Sequence, residues 1–285
     1  MTDVTIPNSV KIIGHFAFAN SSLEKITIPD SVTEIYGAAF YNCSFKSVTI
    51  PENVTKLDVW AFAYNVFLEK VNYNAKDCSV GAYVLINGSQ ENCSSPFEHC
   101  PSLDTIIIGK NVEKIPEAIF TDTYIRSITI PENVTDVGDY AFYKCSNLEK
   151  VYWNAKNSGN ITMANANRVH IGVVNVFGNC KNLSNVIFGE NVEYIPKFLL
   201  GNSGGTIDIV IGKNCKRIGE YAFFRYPKCT VYGTVINKIT FKEKKGWHYT
   251  FPDGTEGQIY EEELQGPKGA AQTMSEVDYL EIYRR

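Results

Sequence analysis

The sequence predicts a repeat solenoid built around a curved, mainly parallel β-sheet, and three observations support this fold class. One phrase recurs: TIPNSV begins at Thr5, TIPDSV at Thr27, and TIPENV at Thr49 and again at Thr129. The steps of 22, 22 and 80 residues correspond to one short unit and one compound unit. A unit of this length cannot bury its own apolar side and must stack on its neighbours. Looser copies of the phrase begin at Ile107, Ile187 and Val210.

Each unit is expected to begin with a short strand such as KITIP, SVTIP or SITIP. Because side chains alternate along a strand, Leu23, Ile26 and Ile28 should face inward while Lys25 and Thr27 face outward. The proline that follows cannot donate a hydrogen bond to a sheet, so it marks the corner where the chain leaves the strand. The chain should then return through a second extended piece and a tight turn at an Ala-Phe pair.

A longer duplication spans the middle of the chain. Residues 49–76 and 129–156 share 16 identities in 28 aligned positions without a gap. In both copies the unit that follows is stretched by 12 residues, in turns that we place at 77–95 and 157–175. Two insertions of equal length, 80 residues apart, are expected to protrude from the same side of the stack.

The repeat template covers residues 1–231 and ends there. We interpret the small non-repeat segment at 232–285 as a C-terminal cap or the start of a partner domain. Its pattern predicts a hairpin around Pro252 to Thr255 and a short helix at SEVDYLEIYRR. At the other end, the first strand begins soon after Met1 without a polar cap, so we expect a trimmed chain with a leader or further turns upstream.

The composition argues against several classes of function. With 27 basic and 31 acidic side chains the net charge is -4, so the chain lacks the cationic field that holds nucleic acid or an anionic bilayer. No apolar run approaches the roughly 20 residues that cross a membrane. The segment MTDVTIPNSV does not have the pattern of a secretory leader. We therefore expect a soluble chain, with no nucleic acid as partner and no membrane insertion.

The recurring phrase IP-x-x-V-x-x-I-x-x-x-A-F-x-x-C-x-x-L, which follows Thr5, Thr27, Thr49 and Thr129, resembles the BspA-like leucine-rich repeat family. The resemblance covers about residues 4 to 231. It implies a right-handed leucine-rich-repeat superhelix with short turns and helical pieces. Such repeats usually belong to longer bacterial or protist surface proteins that bind other proteins, and the family has no catalytic residues to transfer to this chain.

The eight cysteines fall into different groups. Four of them lie three residues after the template phenylalanine and are expected to fill the core as small apolar side chains: Cys43, Cys100, Cys145 and Cys180. In three other turns this position is Ser21, Asn65 or Thr123. Cys78 and Cys93 both lie in the first stretched turn. They are either a disulfide that closes this loop or two free thiols.

No pattern in the sequence indicates an enzyme or a bound cofactor. No cysteine pair has the CxxC spacing of a zinc site, and the four histidines are scattered without metal-ligand spacing. Phosphate-binding loops and serine-hydrolase motifs are not found. His99 and Cys100 are adjacent, and adjacent residues of an extended segment point to opposite sides. We therefore expect no catalytic residues, no metal and no cofactor.

The candidate binding residues project from the strands onto the concave face of the solenoid. One column, which we call the Thr27 column, becomes apolar toward its C-terminal half and contains Thr27, Thr49, Asn72, Ile107, Thr129, Tyr152, Ile187 and Val210. The neighbouring Lys25 column is polar and contains Lys25, Ser47, Lys70, Thr105, Ser127, Lys150, Asn185 and Asp208. An exposed apolar stripe beside polar residues is typical of a partner site. Strand propensity alone also favours Ile, Val, Thr and Tyr on a sheet.

Together with the exposed stripe, the family resemblance implies a non-enzymatic protein-recognition or adhesion-type module, which we expect to be monomeric; the resemblance also implies that it is secreted or lies at a bacterial cell surface. Its partner would be a host or bacterial surface protein. Two alternatives remain. A glycan-binding surface module would need exposed aromatic platforms, but Trp60 lies in a turn column and Trp153 points inward, so only Tyr152 offers a ring on the sheet. A structural spacer would hold another domain away from the cell surface.

Overall fold

The computed structural model describes residues 2–81, 94–158, 176–196, 199–200, 206–212 and 214–215, and the strand segments 217–218, 228–233, 242–243, 247–250 and 256–259. Most of the two stretched turns, at 82–93 and 159–175, lies outside the described residues. The same holds for Cys93 and for the segment in which the C-terminal helix is predicted. The side from which the stretched turns protrude therefore stays a prediction.

Two sets of strands form the solenoid. The long strands are β3 (Ser47–Ile50), β5 (Lys70–Tyr73), β7 (Thr105–Ile108), β9 (Ser127–Ile130), β11 (Lys150–Trp153), β12 (Asn185–Phe188), β14 (Thr206–Ile211) and β16 (Lys228–Gly233). The short strands are β1 (Ile12–Ile13), β2 (Glu34–Ile35), β4 (Lys56–Leu57), β6 (Ser79–Val80), β8 (Lys114–Ile115), β10 (Asp136–Val137), β13 (Tyr194–Ile195) and β15 (Arg217–Ile218). These are the two extended pieces that the template predicts.

Hydrogen-bonded ladders join equivalent strands of successive repeats. The long strands form two parallel sheets, in the orders β3-β5-β7 and β9-β11-β12-β14-β16. Ser47 pairs with Lys70, and Lys70 with Thr105, so the register advances by one repeat at each strand. The short strands also pair in parallel, in the orders β1-β2-β4-β6, β8-β10 and β13-β15. The predicted repeat fold with a parallel sheet is confirmed.

A column of phenylalanine rings forms the centre of the core. The rings stack from turn to turn with centroids between 5.0 and 5.7 Å apart. Their order is Phe18, Phe40, Phe62, Phe97, Phe120, Phe142 and Phe177. Stacked aromatic pairs contribute about 0.5–1.5 kcal/mol beyond the burial of their area. Because each ring touches the next one along, the column couples each repeat to its two neighbours.

The cysteines that follow the phenylalanines are confirmed as core residues. All four are buried free thiols: Cys43, Cys100, Cys145 and Cys180. The Cys100 thiol donates to the carbonyl oxygen of Phe62, one repeat earlier, at 3.2 Å. Where Asn65 replaces the cysteine, its amide donates to the Phe62 oxygen at 2.6 Å and accepts from the Cys43 N–H at 2.7 Å. Small side chains at this position therefore satisfy carbonyl groups inside the turn.

The Ala-Phe turns are built from left-handed residues. The first left-handed position holds Phe16, Ala38, Trp60, Ala118 and Tyr140, and the second holds Asn20, Asn42, Tyr64, His99, Asp122, Lys144 and Asn179. From the first of these positions to the second, every second backbone N–H donates to a carbonyl oxygen of the next repeat, as Phe62 N–H does to the Pro96 oxygen at 2.8 Å. Left-handed residues cannot continue an α-helix. The helical pieces implied by the family resemblance are therefore wrong for the turns that the structure describes.

The strands that follow the parallel sheets pair in the opposite sense. They are β17 (Lys242–Glu243), β18 (Trp247–Thr250) and β19 (Glu256–Ile259), in the antiparallel order β17-β18-β19. Thr250 pairs with Glu256, which confirms a hairpin whose connection includes the predicted Pro252 to Thr255. β19 also contacts β15 at the end of the repeats.

Candidate functional site

The Thr27 column forms a line of side chains across the long strands. The ladder register joins Thr49, Asn72 and Ile107 in one sheet, and Thr129, Tyr152, Ile187 and Val210 in the other. Thr27 bridges Thr5 of the preceding repeat, so the same alignment reaches the first turns. The register predicted from the repeat is therefore the observed one.

The column changes character along the solenoid. Its first part is polar, and the Asn72 amide donates to the Thr49 hydroxyl at 3.1 Å. Ile107 is 46% exposed and Tyr152 is 38% exposed, although both side chains are large and apolar in most of their area. Ile187 is half-buried. The outward face of the sheet thus offers apolar surface to solvent from the middle of the described solenoid onward.

The Lys25 column keeps the edge of this stripe polar. Lys25 and Lys150 are exposed and Lys70 is half-buried, so ammonium groups recur along it. Ion pairs flank the column, with Lys46 Nζ 3.5 Å from Glu69 Oε1 and Arg126 Nη1 3.8 Å from Glu149 Oε1. Exposed pairs of this kind contribute only about 0–1 kcal/mol. Their main effect is to surround the apolar stripe with solvated charge.

Two of the buried thiols, Cys78 and Cys100, do not have the properties of nucleophiles. Burial raises the pKa of Cys78 and of Cys100 to about 12, so both are protonated at neutral pH. Cys100 is buried while His99 is exposed, so the two side chains face opposite ways, as predicted. Cys78 is buried, and its pairing with Cys93 stays a prediction because Cys93 is not described. Within the described ranges, no three His, Cys, Asp or Glu side chains group around a metal position.

A second exposed cluster lies on the Ala-Phe turns. We call it the ring cluster, and it consists of Trp60, Tyr64, Glu98 and His99. Trp60 Nε1 donates to Glu98 Oε2 at 2.7 Å, and Glu98 Oε1 lies 3.4 Å from His99 Nε2. The rings of Tyr64 and His99 are 4.5 Å apart between centroids. Sequence reasoning placed only Trp60 in a turn column. The repeat register could have indicated this cluster, because it aligns Tyr64 and His99 with Asn and Asp residues of other turns. Asn and Asp are the residues typical of a left-handed backbone.

Parallel strands stacked repeat upon repeat, with an outward face that carries one side chain per strand in each column, define a leucine-rich-repeat solenoid. The chain belongs to the BspA type leucine-rich repeat family, whose model matches residues 1–93 and 154–243 in 6 copies. Proteins of this family are generally interaction or surface modules. In the part of the chain that the structure describes, no helix combines the length and the hydropathy needed to cross a bilayer.

Several solved structures match the chain. A leucine-rich repeat protein from Bacteroides ovatus shares 21% identity over 80% of this chain and 67% of its own, with a TM-score of 0.37. A leucine rich cell surface protein from Faecalibacterium prausnitzii shares 23% identity over 82% of this chain and 68% of its own, with a TM-score of 0.36. A leucine-rich repeat protein from Eubacterium ventriosum shares 18% identity over 82% and 66%, with a TM-score of 0.32. No curated protein sequence matches significantly.

Proposed function

We propose that this chain is a non-enzymatic protein-recognition module that binds its partner through the Thr27 column and the Lys25 column. The observation that supports this proposal is the exposure of Ile107 and Tyr152 in the same column of the outward sheet face. Large apolar side chains exposed on one face often mark a partner site, and aromatic residues are enriched in interface cores. Since a stacked sheet fixes the backbone of every contact residue, little ordering would be lost on binding.

The charge around the stripe suggests the chemistry of the partner. Lys25, Lys70 and Lys150 line the stripe, so a complementary protein would combine an apolar centre with an acidic rim. We propose a protein of the host or bacterial surface as this partner, with the chain acting as a monomer in an adhesion-type contact. A secreted or cell-surface location fits the family. Neither a cofactor nor nucleic acid is part of the proposal.

The same reasoning divides the chain into a solenoid at 1–231 and a C-terminal cap, or the start of a partner domain, at 232–285. The change from parallel to antiparallel pairing after β16 supports this division. The family model extends somewhat further, to residue 243. In this arrangement the antiparallel strands would close the exposed end of the repeat stack.

Site-specific photo-crosslinking tests the proposed face. Benzoylphenylalanine replaces Ile107 or Tyr152, and Tyr124 is the matched control because it is 41% exposed in the segment before β9, outside both columns. We expect one surface protein, presented from bacterial or host surface extracts, to crosslink at the first two positions and not at Tyr124. Equal crosslinking at all three positions would mean that the contact is unspecific.

The crosslinked protein, once purified, allows the contact to be measured. Tyr152→Ala and Ile187→Asp should each weaken its affinity by about tenfold or more, because both remove apolar contact area from the centre of the face. Tyr124→Ala should leave the affinity unchanged. Unchanged affinity for both column variants would place the contact elsewhere and contradict the proposal.

A further inference from the structure

Two rings of the ring cluster, Tyr64 and His99, occupy a backbone position that does not favour rings. Trp60, Tyr64 and His99 have φ values of 62, 61 and 55°. The left-handed conformation costs an L-residue about 1–2 kcal/mol, and Asn and Asp tolerate it best. At the second left-handed position, four other turns have Asn20, Asn42, Asp122 and Asn179. The turn alone therefore favours Asn or Asp at the positions of Tyr64 and His99. Residues that strain the backbone are often found at functional sites.

Core packing does not explain these rings. Trp60 and Tyr64 are 42% and 41% exposed, and the His99 side chain is 55% exposed. Tyr64 lies between Tyr41 and His99, with centroid distances of 5.0 and 4.5 Å and tilts of 42 and 48°. Tyr41, Tyr64 and His99 thus form a row along the solenoid axis, one ring per repeat, and Trp60 lies beside this row in the repeat of Tyr64.

Polar groups hold the row in place and extend it. Glu98 accepts from Trp60 and faces His99, so one carboxylate fixes two of the rings. Its neighbours on the row are polar as well: Asn42 donates to Asn20 at 2.9 Å on one side, and Asp122 follows His99 on the other. A fixed set of rings, carboxylates and amides loses little freedom when a ligand binds.

The second copy of the compound repeat forms the same turn without the cluster. Eighty residues later, Trp60, Tyr64, Glu98 and His99 correspond to Tyr140, Lys144, Gly178 and Asn179. The backbone bond is kept, with Tyr64 N–H to the Glu98 oxygen at 2.9 Å and Lys144 N–H to the Gly178 oxygen at 2.8 Å. Tyr140 is buried. The fold therefore does not need exposed rings here.

We propose that the ring cluster binds a linear, neutral oligosaccharide of hexoses, at a site separate from the sheet face. The apolar C–H faces of hexoses stack on aromatic rings, and their hydroxyl groups bond to carboxylates and amides. The 5.0 and 4.5 Å steps of the row follow the distance between successive repeats, so a linear ligand that runs along the row contacts several rings. Glu98 and Asp122 would repel an anionic glycan, and acidic residues are depleted in the cores of protein interfaces.

Isothermal titration calorimetry of the full chain with maltohexaose, cellohexaose and laminarihexaose tests the site. We expect at least one of these probes to bind. The double variant Tyr64→Lys, His99→Asn copies the residues of the second repeat copy and should weaken that binding by about tenfold or more. Trp60→Tyr, copied from Tyr140, should weaken it independently. Tyr152→Ala on the sheet face should bind the same probe as the parent chain does.

The same variants separate this site from the protein-recognition face. The double variant should stay folded, because Lys144 and Asn179 already occupy the same left-handed positions in the second copy. Three outcomes would overturn the proposal: no probe binds, the double variant and Trp60→Tyr bind as the parent does, or only a protein partner loses affinity in these variants. In the last case the ring cluster would be a protein contact.

Discussion

Phe120 offers a direct test of how the core stabilises the solenoid. Its ring is fully buried, stacked on Phe97 at 5.7 Å and on Phe142 at 5.6 Å, and it meets Tyr73 edge-on at 5.7 Å. Phe120→Leu keeps most of the buried apolar area but removes three ring pairs, each contributing about 0.5–1.5 kcal/mol. Since the leucine repacks part of the space, we expect the free energy of unfolding to fall by about 1–3 kcal/mol.

Double-mutant cycles in urea unfolding, followed by circular dichroism, then test the nearest-neighbour picture. Phe97→Leu combined with Phe120→Leu should cost less than the sum of the single changes by about 0.5–1.5 kcal/mol, since their shared pair is lost only once. Phe40→Leu combined with Phe120→Leu should be additive within about 0.5 kcal/mol, because Phe62 and Phe97 separate those rings. Equal coupling energies in both cycles would refute the idea that the ring column couples only adjacent repeats.

Two further predictions concern a backbone contact and the buried thiols. Gly138→Ala should lower the free energy of unfolding by about 1–3 kcal/mol, because the new Cβ would overlap the backbone of Glu117. Gly14→Ala, at the same repeat position but in open space, should change it by less than about 0.5 kcal/mol, and equal urea midpoints would contradict this. At about pH 8, Cys78 and Cys100 should react with a thiol reagent only after unfolding, because burial raises both pKa values from 9.0 to about 12. Pulse labelling and mass spectrometry check this, and labelling of the native chain at the denatured rate would disprove it.

The strands and the order of the Thr27 column could be predicted because both depend on periodicity alone. A strand alternates every two residues, and each repeat adds one strand in parallel register, so position in the repeat decides which face a side chain occupies. The pairing of Asn72 with Ile107, and of Tyr152 with Ile187, follows from this register although a stretched turn interrupts the chain between each pair. An insertion changes the length of a turn but not the ladder on either side of it.

The conformation of the Ala-Phe turns could not be predicted in the same way. A left-handed residue is recognised in a sequence when it is Gly, Asn or Asp. Trp60 gives no such signal, and Tyr64 and His99 give one only through the Asn and Asp residues that the repeat register aligns with them. Their φ values are imposed by the amides that must bond to the next repeat, as the Tyr64 N–H does to the Glu98 oxygen. The ring cluster depends on that backbone, so it becomes visible only when the repeats are stacked.

Departures from the template can come in pairs on adjacent repeats. The looser phrases have Gly109 and Gly189 where the others have proline, and each lies 35 residues after an asparagine, Asn74 or Asn154. A Cβ on either glycine would overlap the side-chain oxygen of its asparagine, so the glycine leaves room for the asparagine side chain of the preceding repeat. Tyr64 and His99 are also 35 residues apart and in contact. Sterics within the stack explain the first two pairs, whereas the rings of the third are partly exposed to solvent. Of the three pairs, we therefore assign a ligand only to the pair in the ring cluster.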